Sequence, residues 1–196
     1  MAIRRAKRAI LIFGFSGSGK SSMADLLGKK LRMRVVHPSS ILRNLLEKQR
    51  VDIKHSKAGK GFWEGRKGMA LYKSRLKSAR PMDMVSDQIL LREIKKGDLV
   101  MDSWTMPWLS KMGTKILLSA SLSLRARRVA KRSRISEKEA NIAIRTRDHE
   151  NRKLFKRLYG FDIKKETQVF DYVIDTAKLN KQQVFQKALR FIRTGK

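Results

Sequence analysis

At 196 residues, 41% of them hydrophobic, the chain is long enough for one α/β domain with its own core and too apolar for a disordered basic tail. It has no cysteine, which excludes disulfides and thiolate metal sites and fits a reducing, cytoplasmic interior, and no apolar run reaches membrane-spanning length. Lys and Arg number 47 against 17 Asp and Glu, a formal net charge of +30, which suits a polyanion such as RNA or DNA and suits equally well solvated helix faces with no partner.

The segment Met1–Arg8 is basic, and the apolar run Ala9–Phe13 follows it. A signal peptide shares that outline, but this run is short and leads straight into a glycine-rich turn, so it is predicted to be the first strand. The turn, Gly14-Phe15-Ser16-Gly17-Ser18-Gly19-Lys20-Ser21, fits the pattern G-x-x-x-x-G-K-[ST], and Ser22-Met23-Ala24-Asp25-Leu26-Leu27 continues it with helical spacing. Strand, loop and helix in that order are the context a phosphate-binding loop needs. Its glycines let successive amide N–H groups point into one concavity at the positive end of the helix dipole. Lys20 adds a cation for the β- and γ-phosphates, and the Ser21 hydroxyl can reach magnesium. Gly14, Ser16, Gly17, Ser18, Gly19, Lys20, Ser21 and Ser22 are therefore expected to bind a nucleoside triphosphate.

Further along, short runs rich in Val, Ile, Leu or Phe alternate with helical stretches, which predicts parallel βαβ units. The strands are expected at Ala9–Phe13, Met33–His37, Leu99–Asp102, Lys115–Ser119 and Phe170–Asp175. Helices are expected at Lys20–Leu31, Ser40–Lys48, Met84–Lys95, Leu122–Arg132, Glu137–Arg157 and Lys181–Ile192. Ser136 with Glu139, and Asn180 with Gln183, have capping-box spacing. Between residues 50 and 82, lysines, arginines and glycines interleave with Phe62, Trp63 and Tyr72. That pattern fits either a base-stacking surface or an amphipathic insertion, and the near-helical spacing of Met69, Leu71, Tyr72 and Leu76 favours the insertion. His37, His55 and His149 lack ligand spacing and read as surface or site-rim residues.

Asp102, at the end of the third strand, is placed to hold magnesium through water. No guanine-reading Asn-Lys-x-Asp run accompanies it, which argues against a switch GTPase. Phosphoryl transfer needs cations to neutralise the moving group, and a means of excluding water. Residues 125–157 carry thirteen basic and four acidic side chains. Arg125, Arg128 and Arg132 lie on one predicted helix, and Arg145, Arg147 and Arg152 on the next. Joined by Ser133-Arg134-Ile135-Ser136, the two helices form a hairpin suited to closing over nucleotides as a lid, or equally a solvated basic pair. Its place between the fourth and fifth strands favours the lid.

The order of these features resembles the nucleoside-monophosphate kinases, and most closely the archaeal-type cytidylate kinases. The matching residues are Arg128-Val129-Ala130-Lys131-Arg132, Ile135-Ser136-x-x-Glu139-Ala140, Arg147-Asp148, Tyr159-Gly160-Phe161-Asp162-Ile163 and Phe170-Asp171-Tyr172-Val173-Ile174-Asp175-Thr176. Ser40-Ile41-Leu42-Arg43 and Gly97-Asp98-Leu99-Val100-Met101-Asp102 are similar as well. The resemblance implies an α/β, three-layer P-loop fold with a five-stranded parallel sheet, within a single domain. Its core would take in about 8–37, 84–124 and 168–193, with an acceptor-binding excursion at about 38–83 and a lid at about 125–167. It implies a monomer that passes the γ-phosphoryl group of ATP, with Mg2+, to CMP or dCMP. Lys20, Arg132 and Arg147 would be catalytic, Arg43, Asp102 and Trp104 would bind the acceptor, and Ser21 with Asp102 would hold the metal.

Three positions depart from the family pattern. Asp102-Ser103-Trp104 stands in place of Glu-Gly-Arg, Leu154 in place of a lid arginine, and Ser39 in place of an acceptor-loop glycine. A Trp can stack on a base but cannot grip a phosphate. The acceptor base is thus left open, and two other readings stand beside the first. One is an NTP-dependent RNA- or ribosome-associated factor on a kinase-like scaffold; the other is a kinase for a different small metabolite.

Overall fold

The computed structural model describes residues 8–48 and 82–195. The expected insertion around Phe62, Trp63 and Tyr72 lies outside the described residues, as does most of the acceptor-binding excursion. Five strands, β1 (Ala9–Phe13), β2 (Arg34–Val36), β3 (Leu99–Asp102), β4 (Thr114–Ser119) and β5 (Tyr172–Asp175), form one sheet in the order β2-β3-β1-β4-β5. Every neighbouring pair is parallel, with Ile12 beside Asp102 on one flank and Ile116 on the other. The carboxyl end of β1, where the glycine turn begins, is therefore central, and Asp102 ends the strand next to it.

Both faces of the sheet are covered, as the unbroken apolar strands require. On one side Ile10, Ile12, Val100, Ile116, Leu118 and Ile174 pack on α1 (Lys20–Leu31) and the C-terminal helix Lys181–Thr194. On the other, Leu11, Leu99 and Met101 meet Leu90 and Ile94 of the helix Met82–Lys96. Each such side chain, fully removed from water, contributes roughly 1.5–3 kcal/mol before chain entropy is set against it.

In chain order the remaining helices are α2 (Pro38–Lys48), α3 (Met82–Lys96), α4 (Met106–Leu109), α5 (Leu122–Ser133), α6 (Glu137–Tyr159) and α7 (Lys181–Thr194). Both capping boxes form: Ser136 and Glu139 start α6, and Asn180 and Gln183 start α7. The α5–α6 turn closes tightly because Arg134 takes a left-handed conformation, with φ 54.

Several helix ends and the start of β4 differ by one or two residues from the sequence expectation, and three details matter more. Strand β2 is shorter at both ends, and β5 begins at Tyr172 because Phe170 stacks on Phe13 instead of joining the ladder. Helix α4 was not expected from periodicity; with only four residues and Pro107 near its start, it has no repeat to show. Among the described residues no helix is long and apolar enough to cross a membrane.

Candidate active site

The glycine turn leaves β1 and enters α1 as a cup. Gly17 has φ 83, and a Cβ there would lie 2.7 Å from the Arg125 carbonyl, so no other residue fits without strain. A Cβ on Gly14 would lie 2.2 Å from the Ser18 hydroxyl oxygen. The Ser16 and Ser18 hydroxyls are buried and have no hydrogen-bond partner among the described residues. Orphaned donors of this kind in a cup of amides suit phosphate oxygens. A cavity of about 420 Å³ opens from the cup, lined by the loop, Arg128, Arg132 and the segment from Thr176 to Lys181. Six of the eight loop residues named from sequence, from Gly17 to Ser22, line this cavity; Gly14 and Ser16 are buried beneath it.

Lys20 is buried, and burial first and then the nearby Arg147 cation lower its pKa to about 8. Its ammonium sits over the Trp104 indole, 5.0 Å from the ring centroid, and the Arg147 guanidinium lies 5.8 Å from the same ring. The Trp that departs from the family pattern thus touches both cations.

The Ser21 hydroxyl donates to Asp102 Oδ2 at 2.5 Å. His37, at the end of β2, donates from Nδ1 to Asp102 Oδ1 at 2.6 Å and from Nε2 to Asp25 at 3.1 Å. The hydrogen bond to Asp102 raises the imidazole pKa to about 9, so both nitrogens carry protons near neutrality. Asp102, Ser21 and His37 thus form one connected unit, in which His37 is more than a rim residue. Its sequence signal was slight: a single His ending a short strand.

Ser21 and Asp102 offer two hard oxygen ligands side by side, beside the cup. No group of three or more His, Cys, Asp or Glu capable of holding a metal occurs among the described residues. That set fits Mg2+, which keeps several waters and is completed by phosphate oxygens rather than by a protein cage.

The hairpin arginines divide by role, which corrects the uniform expectation. Arg125 is buried and structural: it donates to the Ser16 carbonyl at 3.0 Å and to Asp148 at 2.6 Å. Asp148 also accepts from the Ser16 amide, so the hairpin holds the loop at both backbone atoms of one residue. Arg152 forks onto Asp162 at 2.7 and 2.5 Å. Arg128 donates to the Thr176 hydroxyl and carbonyl, each at 2.9 Å, and so ties α5 to the turn after β5. Arg132 lines the cavity that opens from the cup, and Arg147 a second one.

That second cavity is small, about 60 Å³, and Trp104 is part of its lining. It is lined by Pro38, Ser39 and Leu42 of the α2 region, Asp83 and Asp87 of α3, Trp104, Arg147 and Asn151. The buried Asp87 carboxylate accepts from Thr105 at 2.8 Å and from the Tyr159 hydroxyl at 2.6 Å, pinning the end of α6 to α3. Arg43, on α2, is half-buried one residue beyond Leu42 and does not line this cavity.

The sequence profile of the cytidylate kinase-like family matches residues 9–178. A protein named cytidylate kinase from Sulfolobus acidocaldarius is 35% identical over 179 residues, covering 89% of this chain and 88% of that protein. Another cytidylate kinase, from Ignicoccus hospitalis, is 29% identical over 185 residues, covering 93% of this chain and 98% of that protein. Among solved structures, shikimate kinase from Acinetobacter baumannii superposes with a TM-score of 0.55 at 16% identity, covering 97% of this chain and 96% of that one. An uncharacterized protein from Eubacterium ventriosum gives a TM-score of 0.63 at 12% identity, covering 96% and 99%. At those identities the structural matches speak for the fold alone.

Proposed function

The chain belongs to the cytidylate kinase-like family, and from that premise we infer that it is an ATP-dependent nucleotide kinase with CMP or dCMP as acceptor. The observation that carries the reading is a contact between two linings: Lys20, which lines the first cavity, sits over the ring of Trp104, which with Arg147 lines the second. One cavity has the glycine cup as its floor, and the other is walled by α2, α3 and α6. A triphosphate seated in the cup would bring its terminal phosphate to Lys20, on the side of Trp104 and Arg147; the second cavity, of about 60 Å³, is one part of an acceptor site whose expected excursion lies mostly outside the described residues.

In the transfer, an oxygen of the acceptor phosphate bonds to the γ-phosphorus as the bond to the bridging oxygen of the β-phosphate breaks, leaving ADP. Lys20 and the loop amides hold the β- and γ-phosphates, and Arg132 and Arg147 offset charge on the equatorial oxygens. Ser21 and Asp102 would hold magnesium, which would supply further neutralisation of the phosphate charge. Arg128 and the turn from Thr176 also wall the donor cavity, and there we place the nucleoside of ATP. Arg43, one residue beyond Leu42 of the second cavity, is the candidate for the acceptor phosphate, and Trp104 offers its ring to the acceptor base.

The direct test is ADP release from ATP and magnesium across a panel of all common nucleoside monophosphates. Stimulation by CMP or dCMP above the others is the expected result. No stimulation by any monophosphate would overturn the assignment.

A further inference from the structure

A third cavity, of about 510 Å³, opens on the other face of the hairpin. It shares no lining residue with the donor cavity or with the acceptor cavity. Helix α6 explains the separation: Arg147, Asn151 and Phe155 repeat at four-residue spacing toward the acceptor side, whereas Arg145, His149 and Arg152 line the third cavity.

The lining is cationic beyond its own needs. It contains Arg125, Arg145, Arg152 and Lys164 with His149, against one carboxylate, Asp148. Asp148 is already engaged by Arg125 and the Ser16 amide, and Arg152 is neutralised by Asp162 from outside the lining. Arg145 donates only its Nε, to Asn141, and neither Arg145 nor Lys164 has a carboxylate partner among the described residues. Two exposed cations at the mouth of a concave site, over walls that are already satisfied, form a receptor for an anion.

We propose that this cavity binds the phosphate groups of a polyanion, held by Arg145 and Lys164. The ligand chemistry is a run of phosphates, supplied either by a single-stranded oligonucleotide or by a free polyphosphate. Its floor is not inert. Arg125 and Asp148, which line it, are the two side chains bonded to the carbonyl and amide of Ser16 in the triphosphate cup. An occupant therefore lies one residue from the donor loop without entering either substrate cavity.

The test uses the full chain with excess ATP and magnesium filling the donor cavity, and no acceptor. In one arm, a fluorescein-labelled decauridylate is titrated by anisotropy between 50 and 200 mM salt. In the other, inorganic tripolyphosphate is titrated by calorimetry. Both arms compare the wild type with R145A/K164A and with a charge-matched control, K29A/K30A, at exposed positions in the last turn of α1. At least tenfold weaker oligonucleotide binding in R145A/K164A only, with a salt slope shallower by roughly 1.4, identifies a nucleic-acid strand as the source. Loss only of the tripolyphosphate heat identifies a free polyphosphate. Equal weakening in both double variants, or in neither, overturns the proposal. If R145A/K164A melts earlier than the wild type, R145Q/K164Q, which keeps the side-chain stems, is read in its place.

Discussion

His37 Nδ1 lies 2.6 Å from Asp102 Oδ1, and Asp102 is the carboxylate that also accepts from Ser21. The imidazole is held charged to about pH 9, above its ordinary 6.5. A group whose folded pKa is raised stabilises fully below its unfolded value and loses that contribution as pH rises through the folded value. The melting temperature of the wild type is therefore expected to fall between pH 6.5 and 9 more steeply than that of His37→Gln. Lys20 titrates in both proteins, so the difference between the two curves isolates His37. Parallel curves in differential scanning calorimetry would refute the ion pair.

Gly17 is wedged between a left-handed backbone and the Arg125 carbonyl. Gly17→Ala forces either the loop or the first turn of α5 to move. The left-handed conformation alone costs about 1–2 kcal/mol for a residue with a Cβ. The expected outcome is a lower melting temperature together with a raised KM for ATP, because loop and hairpin shift as one. A melting change with no effect on KM would show that the cup tolerates the shift.

Removing the loop cation, in Lys20→Ala, should lower kcat by roughly a hundred- to thousandfold, the usual cost of losing one preorganised charge at a transition state. The pH dependence carries a sharper expectation. With Lys20 at about 8 in the free enzyme, kcat/KM for ATP falls as pH rises through 8, since the neutral amine no longer pairs with phosphate. Lys20→Arg, which stays charged, removes that alkaline limb even if the overall rate drops. A limb that survives in the Arg variant belongs to another group.

The glycine-loop half of the candidate site is legible in the sequence because it is local there. The cup, Lys20 and Ser21 form one contiguous motif, and β1 and α1 begin and end where the pattern places them. Both capping boxes were equally local. What could not be read were pairings between elements distant in the chain. Arg125 and Arg152 look like free lid cations in the sequence, but their counter-charges, Asp148 and Asp162, lie 23 and 10 residues away. His37 gains its role from Asp102, 65 residues on, through the parallel pairing of β2 with β3. A period-of-four pattern marks which face of α6 is buried, but not which polar residue meets which cavity.

Trp104 is the substitution whose consequence geometry makes most specific. Its indole accepts the Lys20 ammonium at 5.0 Å and lies 5.8 Å from Arg147, two like charges that otherwise repel. Each cation–π contact is worth about 0.5–2 kcal/mol, more where water is excluded. Replacing the ring by Trp104→Leu removes that compensation while keeping an apolar side chain. The Lys20 pKa then falls further, so the alkaline limb of kcat/KM for ATP moves to lower pH. On the acceptor side the same change removes the stacking face, and KM for CMP rises about tenfold while KM for ATP at pH 7 changes less. Trp104→Phe, which keeps a smaller face, should restore part of both effects. A Leu variant with an unmoved pH limb and unchanged KM for CMP would show that the ring is only a spacer, and that Lys20 and Arg147 are held apart by the buried wall behind it.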